Sequence, residues 1–124
     1  MASLDELQPW LQPYAKYLLK VGNYYASDPT IHDWGGHFYV SSTYRSYRQQ
    51  ARLYERYMRG LSRIPAAPPG RSAHHLRLAF DMVRNSVDPY QDDLLHWLGH
   101  VWTTWGGQYG GATHDPVHFQ APLA

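Results

Sequence analysis

One charged side chain stands inside an otherwise apolar segment, and it restricts how the chain can fold. Residues 78–83 (LAFDMV) predict a β-strand that is apolar on both faces except at Asp81. A buried carboxylate without a partner is strongly destabilising, so the fold must supply a partner for Asp81. An arginine or a metal ion would satisfy it. A Cys-ligated zinc site, a disulfide framework and a thiol nucleophile are excluded, because the sequence contains no cysteine.

The other patterns mix helical and extended periodicity without a regular βαβ order. A possible capping box at Ser46 and Gln49 marks one helix start, and Asp88 followed by Pro89 marks another. We predict helices at about residues 13–25, 46–60 and 89–105, strands at 37–43, 78–83 and 117–121, and loops rich in proline or glycine at 62–73 and 106–111. This mixture favours an α+β fold in which helices flank a small antiparallel sheet.

The length of the chain, 124 residues, is sufficient for one domain but not for two independent cores. We therefore expect a single domain over residues 1–124 that is monomeric. No segment approaches the ~18 consecutive apolar residues of a transmembrane helix. The N-terminal segment MASLDELQPW has acidic residues where a secretory signal would carry basic and apolar blocks. We expect synthesis in the cytoplasm without a signal peptide.

Positive charge is concentrated in the middle of the chain, although the net charge is only +1. All nine arginines lie between residues 45 and 84, and this region could attract an anionic polymer. No zinc finger, RNA-binding signature or basic tail accompanies them, so we expect no specific nucleic-acid partner. Arg48, Arg52 and Arg56, spaced by four on the second predicted helix, are more typical of a solvated helix face.

Histidines and carboxylates elsewhere in the sequence are candidate partners for Asp81. His74 precedes it by seven residues, and the segment HDPVHF supplies His114, Asp115 and His118. Two histidines and one carboxylate leave a zinc ion with one open coordination position, which is typical of hydrolytic sites. A further carboxylate can then accept the proton of the attacking water and pass it to a leaving amine. Asp115, three residues before His118, can approach the same ion without being a ligand.

The sequence also offers alternative metal ligands and a possible second metal cluster. His75 and His114 flank the histidines considered as ligands, so either could replace its neighbour. His32, Asp33 and His37 could form a second metal cluster, although packing or surface roles are more typical of such residues.

Three segments around these residues resemble the zinc D-Ala-D-Ala peptidases of the VanX/VanY type, a family that includes phage endolysins. Residues 41–50 (SSTYRSYRQQ) are similar to the family segment S-x-x-x-R-S-x-x-x-Q. Residues 69–81 (PGRSAHHLRLAFD) are similar to P-G-x-S-x-H-x-x-G-x-A-x-D, and residues 115–119 (DPVHF) to the closing D/E-x-x-H-F. The three segments together, in the same order, are far more specific than any one of them.

The resemblance implies a zinc ion bound by His74, Asp81 and His118. It also implies that Asp115 is the general base. The fold that it implies is the zinc-binding α+β fold shared by these peptidases and the Hedgehog signalling domain, which agrees with the class predicted from the periodicity.

The first two segments also imply residues that contact the substrate. Arg45 would stabilise the developing oxyanion or the substrate carbonyl, and Ser72 and Gln50 would line the substrate-binding cleft. The structural alternative for Arg45 is a salt bridge to Asp81 or Asp33. The alternative for Ser72 is a hydrogen bond to its own loop backbone.

The chain departs from the family pattern at two positions, and at a third it has one of the two residues that the pattern allows. Arg77 stands where the family has glycine, which is expected to place a bulky cation near the site. Gln120 stands where a glutamate follows His-Phe, and this change is expected to loosen the orientation of His118. Asp115 occupies a position that can also be glutamate, and aspartate is more typical of the endolysin-type endopeptidases.

We therefore expect a zinc metallopeptidase that hydrolyses the stem peptide of bacterial peptidoglycan. The expected specificity is that of a bacteriophage endolysin, an L-alanyl-D-glutamate endopeptidase. The alternatives are a D-Ala-D-Ala carboxypeptidase or dipeptidase, and a non-catalytic zinc-containing module that binds the cell wall. The enzyme would reach the wall after release from the cell or as part of a virion.

Overall fold

The computed structural model describes residues 2–28, 30 and 35–122. Its helices and strands, in chain order, are α1 Gln12–Ala26, β1 Phe38–Ser42, α2 Tyr47–Met58, β2 Ala79–Arg84, α3 Asp93–Thr104, β3 Gln108–Tyr109 and β4 His118–Gln120. Short 3-10 turns lie at Leu4–Glu6, Ala73–Leu76, Pro89–Gln91 and Gly110–Thr113. None of the described helices is long and apolar enough to cross a membrane.

The four strands form one antiparallel sheet in the order β1-β2-β4-β3. Strand β2 lies between β1 and β4, and the register places Asp81 opposite Ser42 on one side and His118 on the other. The antiparallel sheet with its helices confirms the predicted α+β fold. The register also brings a histidine from the end of the chain beside the carboxylate of the apolar strand.

The hydrophobic core lies on one face of the sheet, with α1 and α3 packed against each other and against the strands. Phe80 of β2 and Phe119 of β4 stack with ring centroids 5.3 Å apart, and Trp102 of α3 packs edge-on against both. Burial of each such side chain stabilises the fold by about 1.5–3 kcal/mol. Because side chains alternate along a strand, Asp81 and His118 point to the opposite face.

Two predicted boundaries differ from the structure. Asp88 caps only the short turn Pro89–Gln91, whereas α3 begins after Asp92, whose carboxylate accepts two backbone hydrogen bonds from the first helical turn. Asp92 also pairs with the buried Arg84 at 2.7 Å, and this contact with β2 fixes where α3 begins. The loop predicted at residues 106–111 contains the short strand β3, which pairs with β4.

Candidate active site

Three side chains converge beside the sheet face that lies opposite the core. The candidate ligand atoms of His74, Asp81 and His118 all lie within 4.8 Å of one another. Nε2 of His74 is 3.3 Å from Oδ1 of Asp81, and Nδ1 of His118 is 3.4 Å from the same oxygen. Such separations are those of ligands placed about 2 Å from a shared tetrahedral ion.

His74 is held by the turn Ala73–Leu76, which begins after Ser72. The Ser72 hydroxyl caps this turn by accepting a hydrogen bond from the His74 amide at 3.2 Å. The His74 ring is buried, and its Nδ1 lies 2.6 Å from the carbonyl oxygen of Thr43. A carbonyl only accepts, so Nδ1 carries the proton and donates it to Thr43. The lone pair of Nε2 is left facing Asp81.

His118 is oriented in the same way by a neighbour on its own strand. Its Nε2 lies 2.6 Å from Oε1 of Gln120, whose amide nitrogen donates onward to Gln108. Nε2 therefore donates to Gln120 and Nδ1 faces Asp81. Burial alone would lower the pKa of His118, but the Asp81 carboxylate outweighs it and raises that pKa. Gln120 makes the orienting contact, so the structure does not show the loosening of His118 that was expected.

Asp81 is shared between a guanidinium and the two imidazoles. Its Oδ2 accepts a hydrogen bond from Arg45, and this salt bridge is the structural alternative that was predicted for Arg45. Burial alone would raise the pKa of Asp81, but His118, His74 and Arg45 together hold it well below its usual range. Asp81 is therefore ionised near neutral pH. Asp33, the other partner considered for Arg45, lies outside the described residues.

The three convergent donors fit a cation. Nε2 of His74 and Oδ1 of Asp81 are buried and have no hydrogen-bond partner within residues 2–28, 30 and 35–122. Unpartnered buried polar atoms are costly, and a metal ion between them would satisfy both. Two imidazole nitrogens and one carboxylate oxygen are typical zinc ligands that leave one coordination position open. The arrangement therefore suits a catalytic metal ion rather than a closed structural one.

The alternative histidines lie outside this group. Both ring nitrogens of His75 are engaged, Nδ1 with the carbonyl oxygen of Arg45 at 2.8 Å and Nε2 with the amide of Gly70 at 3.0 Å. His114 is exposed and ends the turn Gly110–Thr113 in a left-handed conformation. Of the possible second cluster, residues 32 and 33 lie outside the described part of the chain.

A second carboxylate, that of the half-buried Asp115, lines the same cleft as His74 and His118. Its Oδ1 has no hydrogen-bond partner in the part of the chain that the structure describes. Burial, followed by the negative charge of Asp81, raises the pKa of Asp115 to about 6. The Asp115 amide donates to the carbonyl oxygen of Gly110 at 3.0 Å, and a Cβ on Gly110 would clash with the Asp115 carbonyl oxygen. This close approach requires glycine at position 110.

The cleft beside these groups has a volume of about 400 Å³, and Ser72 and Gln50 both line it. The Ser72 hydroxyl is used in the cap described above, which is the structural alternative predicted for that residue. Gln50 is buried, accepts a hydrogen bond from Arg45 at 3.2 Å and donates one to the carbonyl of Ala67 at 2.8 Å. Both side chains therefore hold parts of the cleft wall in place.

Arg77 ends the turn that carries His74 and points away from the cleft. It adopts a left-handed conformation with φ 60°, which accounts for the glycine of the family pattern at this position. Its guanidinium lies over the ring of Tyr44, 4.2 Å from the centroid, and donates to the carbonyl of Glu6 at 3.0 Å. The prediction that Arg77 places a bulky cation near the site is therefore wrong.

Sequence reasoning missed two contacts that shape the site. Thr43 acts through its carbonyl oxygen, which every residue type has, and so leaves no signal in the sequence. His75 ties two loops together through contacts that exist only in the folded chain. Arg71 was also not singled out, because it fills the unspecified position of the P-G-x-S segment, but the structure places it on the cleft wall.

Comparison with known families places this geometry in context. The family model for VanY, described as D-alanyl-D-alanine carboxypeptidase, matches residues 30–106, which is more than half of the chain. The chain belongs to the VanY family. It is therefore an enzyme of the peptidoglycan peptidase class. The matched segment contains Arg45, His74 and Asp81, whereas Asp115 and His118 follow it and are brought to the site by the fold.

Solved structures of VanY-type peptidases share the fold. The vancomycin-resistance D,D-pentapeptidase VanY, in complex with Zn(II), has a TM-score of 0.64 and 19% identity, over 93% of this chain and 72% of that one. VanXYg with a D-Ala-D-Ala phosphinate analogue has a TM-score of 0.64 and 18% identity, over 93% and 50%. The L,D-carboxypeptidase DacB of Streptococcus pneumoniae has a TM-score of 0.62 and 21% identity, over 94% and 66%. This chain thus spans about half of VanXYg. A search of curated proteins found no significant match.

Proposed function

We propose that this chain hydrolyses the stem peptide of peptidoglycan at a zinc site formed by His74, Asp81 and His118. The observation that carries the proposal is the convergence of their ligand atoms, two of them buried without hydrogen-bond partners among the described residues. Asp115, with its own unpartnered buried oxygen, lines the same cleft. The Zn(II) complex of VanY, which shares this fold, supports zinc as the ion.

Proton transfer is assigned to Asp115. When bound, zinc supplies polarisation of the scissile carbonyl and a more acidic attacking water. Asp115 accepts the water proton at its carboxylate and delivers it to the amine of the leaving residue as the C–N bond breaks. A pKa of about 6 suits both steps, because the carboxylate is largely ionised at neutral pH and still basic enough to accept a proton.

Arg45 is assigned to stabilising the negative charge that develops on the substrate carbonyl oxygen. Its Nε donates to the Ser42 hydroxyl at 2.8 Å, and its two terminal nitrogens donate to Gln50 and Asp81. These contacts use three of the five N–H groups of a guanidinium. The other two can donate to an oxyanion from a position that is already fixed. Arg45 thus has the structural role of holding Asp81 and a catalytic role as well.

Carboxypeptidase activity is the specificity that we propose first. The matched family model is described as a D-alanyl-D-alanine carboxypeptidase, and DacB, which shares the fold, is an L,D-carboxypeptidase. The second candidate is the L-alanyl-D-glutamate endopeptidase, which is favoured by aspartate rather than glutamate at position 115. A bacteriophage origin, and release from the cell or attachment to a virion, belong to this second candidate and stay predictions.

The test is digestion of defined muropeptides by the zinc-loaded enzyme and by the same enzyme treated with a chelator, read by mass spectrometry. Chelator-sensitive release of D-Ala from a pentapeptide or a tetrapeptide stem would support the carboxypeptidase. Chelator-sensitive cleavage between L-Ala and D-Glu would support the endopeptidase. If a folded, zinc-loaded sample cleaves neither bond, the proposal is wrong and the non-catalytic binding module becomes the better interpretation.

We also propose that residues 1–124 act as one monomeric domain. The described helices and strands share one hydrophobic core, and the candidate ligands all come from this chain. Light scattering during size-exclusion chromatography should give the mass of one chain. A stable dimer that alone carries activity would contradict this.

A further inference from the structure

We propose that Arg71 binds the free α-carboxylate of the substrate residue that follows the scissile bond. This inference rests on the proposed function and adds to it a residue that determines specificity.

The position of Arg71 is fixed relative to the candidate ligands. It lines the cleft together with Ser72 and Asp115. Its backbone amide donates to the carbonyl of Pro68 at 3.1 Å, in the same turn in which Gly70 donates to His75. His75 directly follows His74 in the chain. Arg71 therefore extends from a turn that is hydrogen-bonded to His75, the neighbour of the residue proposed to bind the ion.

Among the described residues, no carboxylate neutralises the charge of Arg71. Two arginines line the cleft, and the guanidinium of Arg45 is already paired with Asp81. No carboxylate of residues 2–28, 30 and 35–122 forms a salt bridge with Arg71. A guanidinium binds a carboxylate through two parallel hydrogen bonds, so an exposed one beside a peptidase site is suited to an anionic group of the substrate.

Both candidate substrates carry this anionic group at the same place. A stem that ends in D-Ala-D-Ala has a free α-carboxylate on the D-Ala after the scissile bond. In the bond between L-Ala and D-Glu, the stem continues through the side-chain carboxyl of D-Glu, so the α-carboxylate after the scissile bond is again free. The shared chemistry is a D-amino acid with a free α-carboxylate, and Arg71 would serve either substrate.

The experiment compares each carboxylate substrate with its neutral amide. The four peptides are a pentapeptide stem that ends in D-Ala-D-Ala, its C-terminal amide, a stem with D-Glu, and the same stem with D-isoglutamine. The zinc-loaded enzymes are the wild type, Arg71→Gln and the control Arg56→Gln, which removes an exposed arginine of α2 that does not line the cleft. Zinc content and melting temperature are measured for all three.

We expect Arg71→Gln to lower kcat/KM about 10- to 100-fold on the carboxylate form of whichever peptide is cut, mainly through KM. The amide form should be cut equally by the wild type and Arg71→Gln, and Arg56→Gln should match the wild type on both. Equal losses on the carboxylate and the amide, or no loss on either, would overturn the proposal. If the wild type cuts none of the four peptides, the proposed function fails first, and the role of Arg71 fails with it.

Discussion

Strand β2 carries two buried charges that have been neutralised in different ways. Arg84 donates two hydrogen bonds to Asp92, at 2.7 and 3.1 Å, and a third to the carbonyl of Gly35 at 3.1 Å. Asp92 also caps α3 through two backbone amides. Asp81 lies three residues before Arg84, and one of its oxygens pairs with Arg45. Its other oxygen faces two imidazoles and has no hydrogen-bond partner among the described residues.

The two ion pairs differ in whether all their hydrogen-bonding atoms have protein partners, and this difference distinguishes a structural contact from a candidate metal site. In the Arg84–Asp92 pair the hydrogen-bonding groups of both side chains are directed at protein partners, so the pair holds β2 and α3 together. In the Arg45–Asp81 pair one oxygen remains available, and it lies where His74 and His118 also present ring nitrogens. A buried ion pair in which one member still has an unsatisfied atom is a candidate for a functional site.

The largest effect is expected for His74→Ala, which removes one of the three proposed zinc ligands beside the Arg45–Asp81 pair. Bound zinc should fall from about one ion per chain to near zero, and peptidase activity should fall to background, because a catalytic zinc needs its three protein ligands. Zinc content after dialysis and a muropeptide digest measure both. His114→Ala, an exposed histidine outside the group, is the matched control and should keep zinc and activity. Full zinc occupancy in His74→Ala would show that the ligands are misassigned.

The next largest effect is expected for Asp115, the carboxylate in the cleft beside the Arg45–Asp81 pair. Asp115→Asn should keep zinc but lower kcat by about 10²- to 10⁴-fold, because an amide cannot accept the proton of water. Steady-state kinetics on the muropeptide that the digest shows to be cut, with zinc content measured on the same samples, give both quantities. Loss of zinc from this variant would instead place Asp115 among the ligands.

Changes in the Arg84–Asp92 pair should lower the stability of the fold rather than the peptidase activity. Asp92→Asn keeps a side chain that can cap α3 but leaves Arg84 as a buried cation without its counter-charge, so the free energy of unfolding should fall by about 3 kcal/mol or more. Asp88→Asn is the control, because its pair with Arg63 is solvent-exposed and should contribute little to stability. Urea denaturation of the metal-free proteins measures both. Equal losses of unfolding free energy in Asp92→Asn and Asp88→Asn would contradict a special structural role for the buried pair.

The smallest effect is expected for metal-free Asp115→Asn, whose free energy of unfolding at neutral pH should rise. The folded-state pKa of Asp115 is raised from 3.8 to about 6, so its ionisation destabilises the folded state as pH rises through this interval. Metal-free Asp115→Asn should therefore exceed the wild type in unfolding free energy by about 1–3 kcal/mol at pH 7. The difference should shrink as the pH falls towards 3.8 and disappear well below it, because the carboxyl is then protonated in both states. A difference that does not change between pH 4 and pH 7 would show that ionisation of Asp115 is not its cause.

Much of the fold and of the candidate site could be predicted from local sequence patterns. The apolar strand around Asp81 and the helix after Ser46 depend on neighbours within a few residues, and the structure has both close to the predicted bounds. The spacing from His74 to Asp81 is also local. The fold brings them together with His118 and Asp115, as the motif order implied, although the role of each side chain stays a prediction.

The parts that could not be predicted depend on distant segments. The start of α3 is decided by Arg84, which selects Asp92 over the stronger local signal at Asp88. The direction of Arg77 is decided by Tyr44 and by the N-terminal turn. The short strand β3 exists because β4 is there to pair with it. No periodicity within these segments contains that information.

The alternation along β4 has a consequence for how the chain reaches its native state. His118 faces the site, and its neighbour Phe119 is fully buried in the core. A slip of β4 by one residue against β2 would exchange the two faces, placing an aromatic ring at the site and an imidazole in the core. A slipped sheet would then lack a ligand and could not hold the ion. Zinc binding would therefore stabilise only the correctly paired sheet, so the ion would also select among folded arrangements.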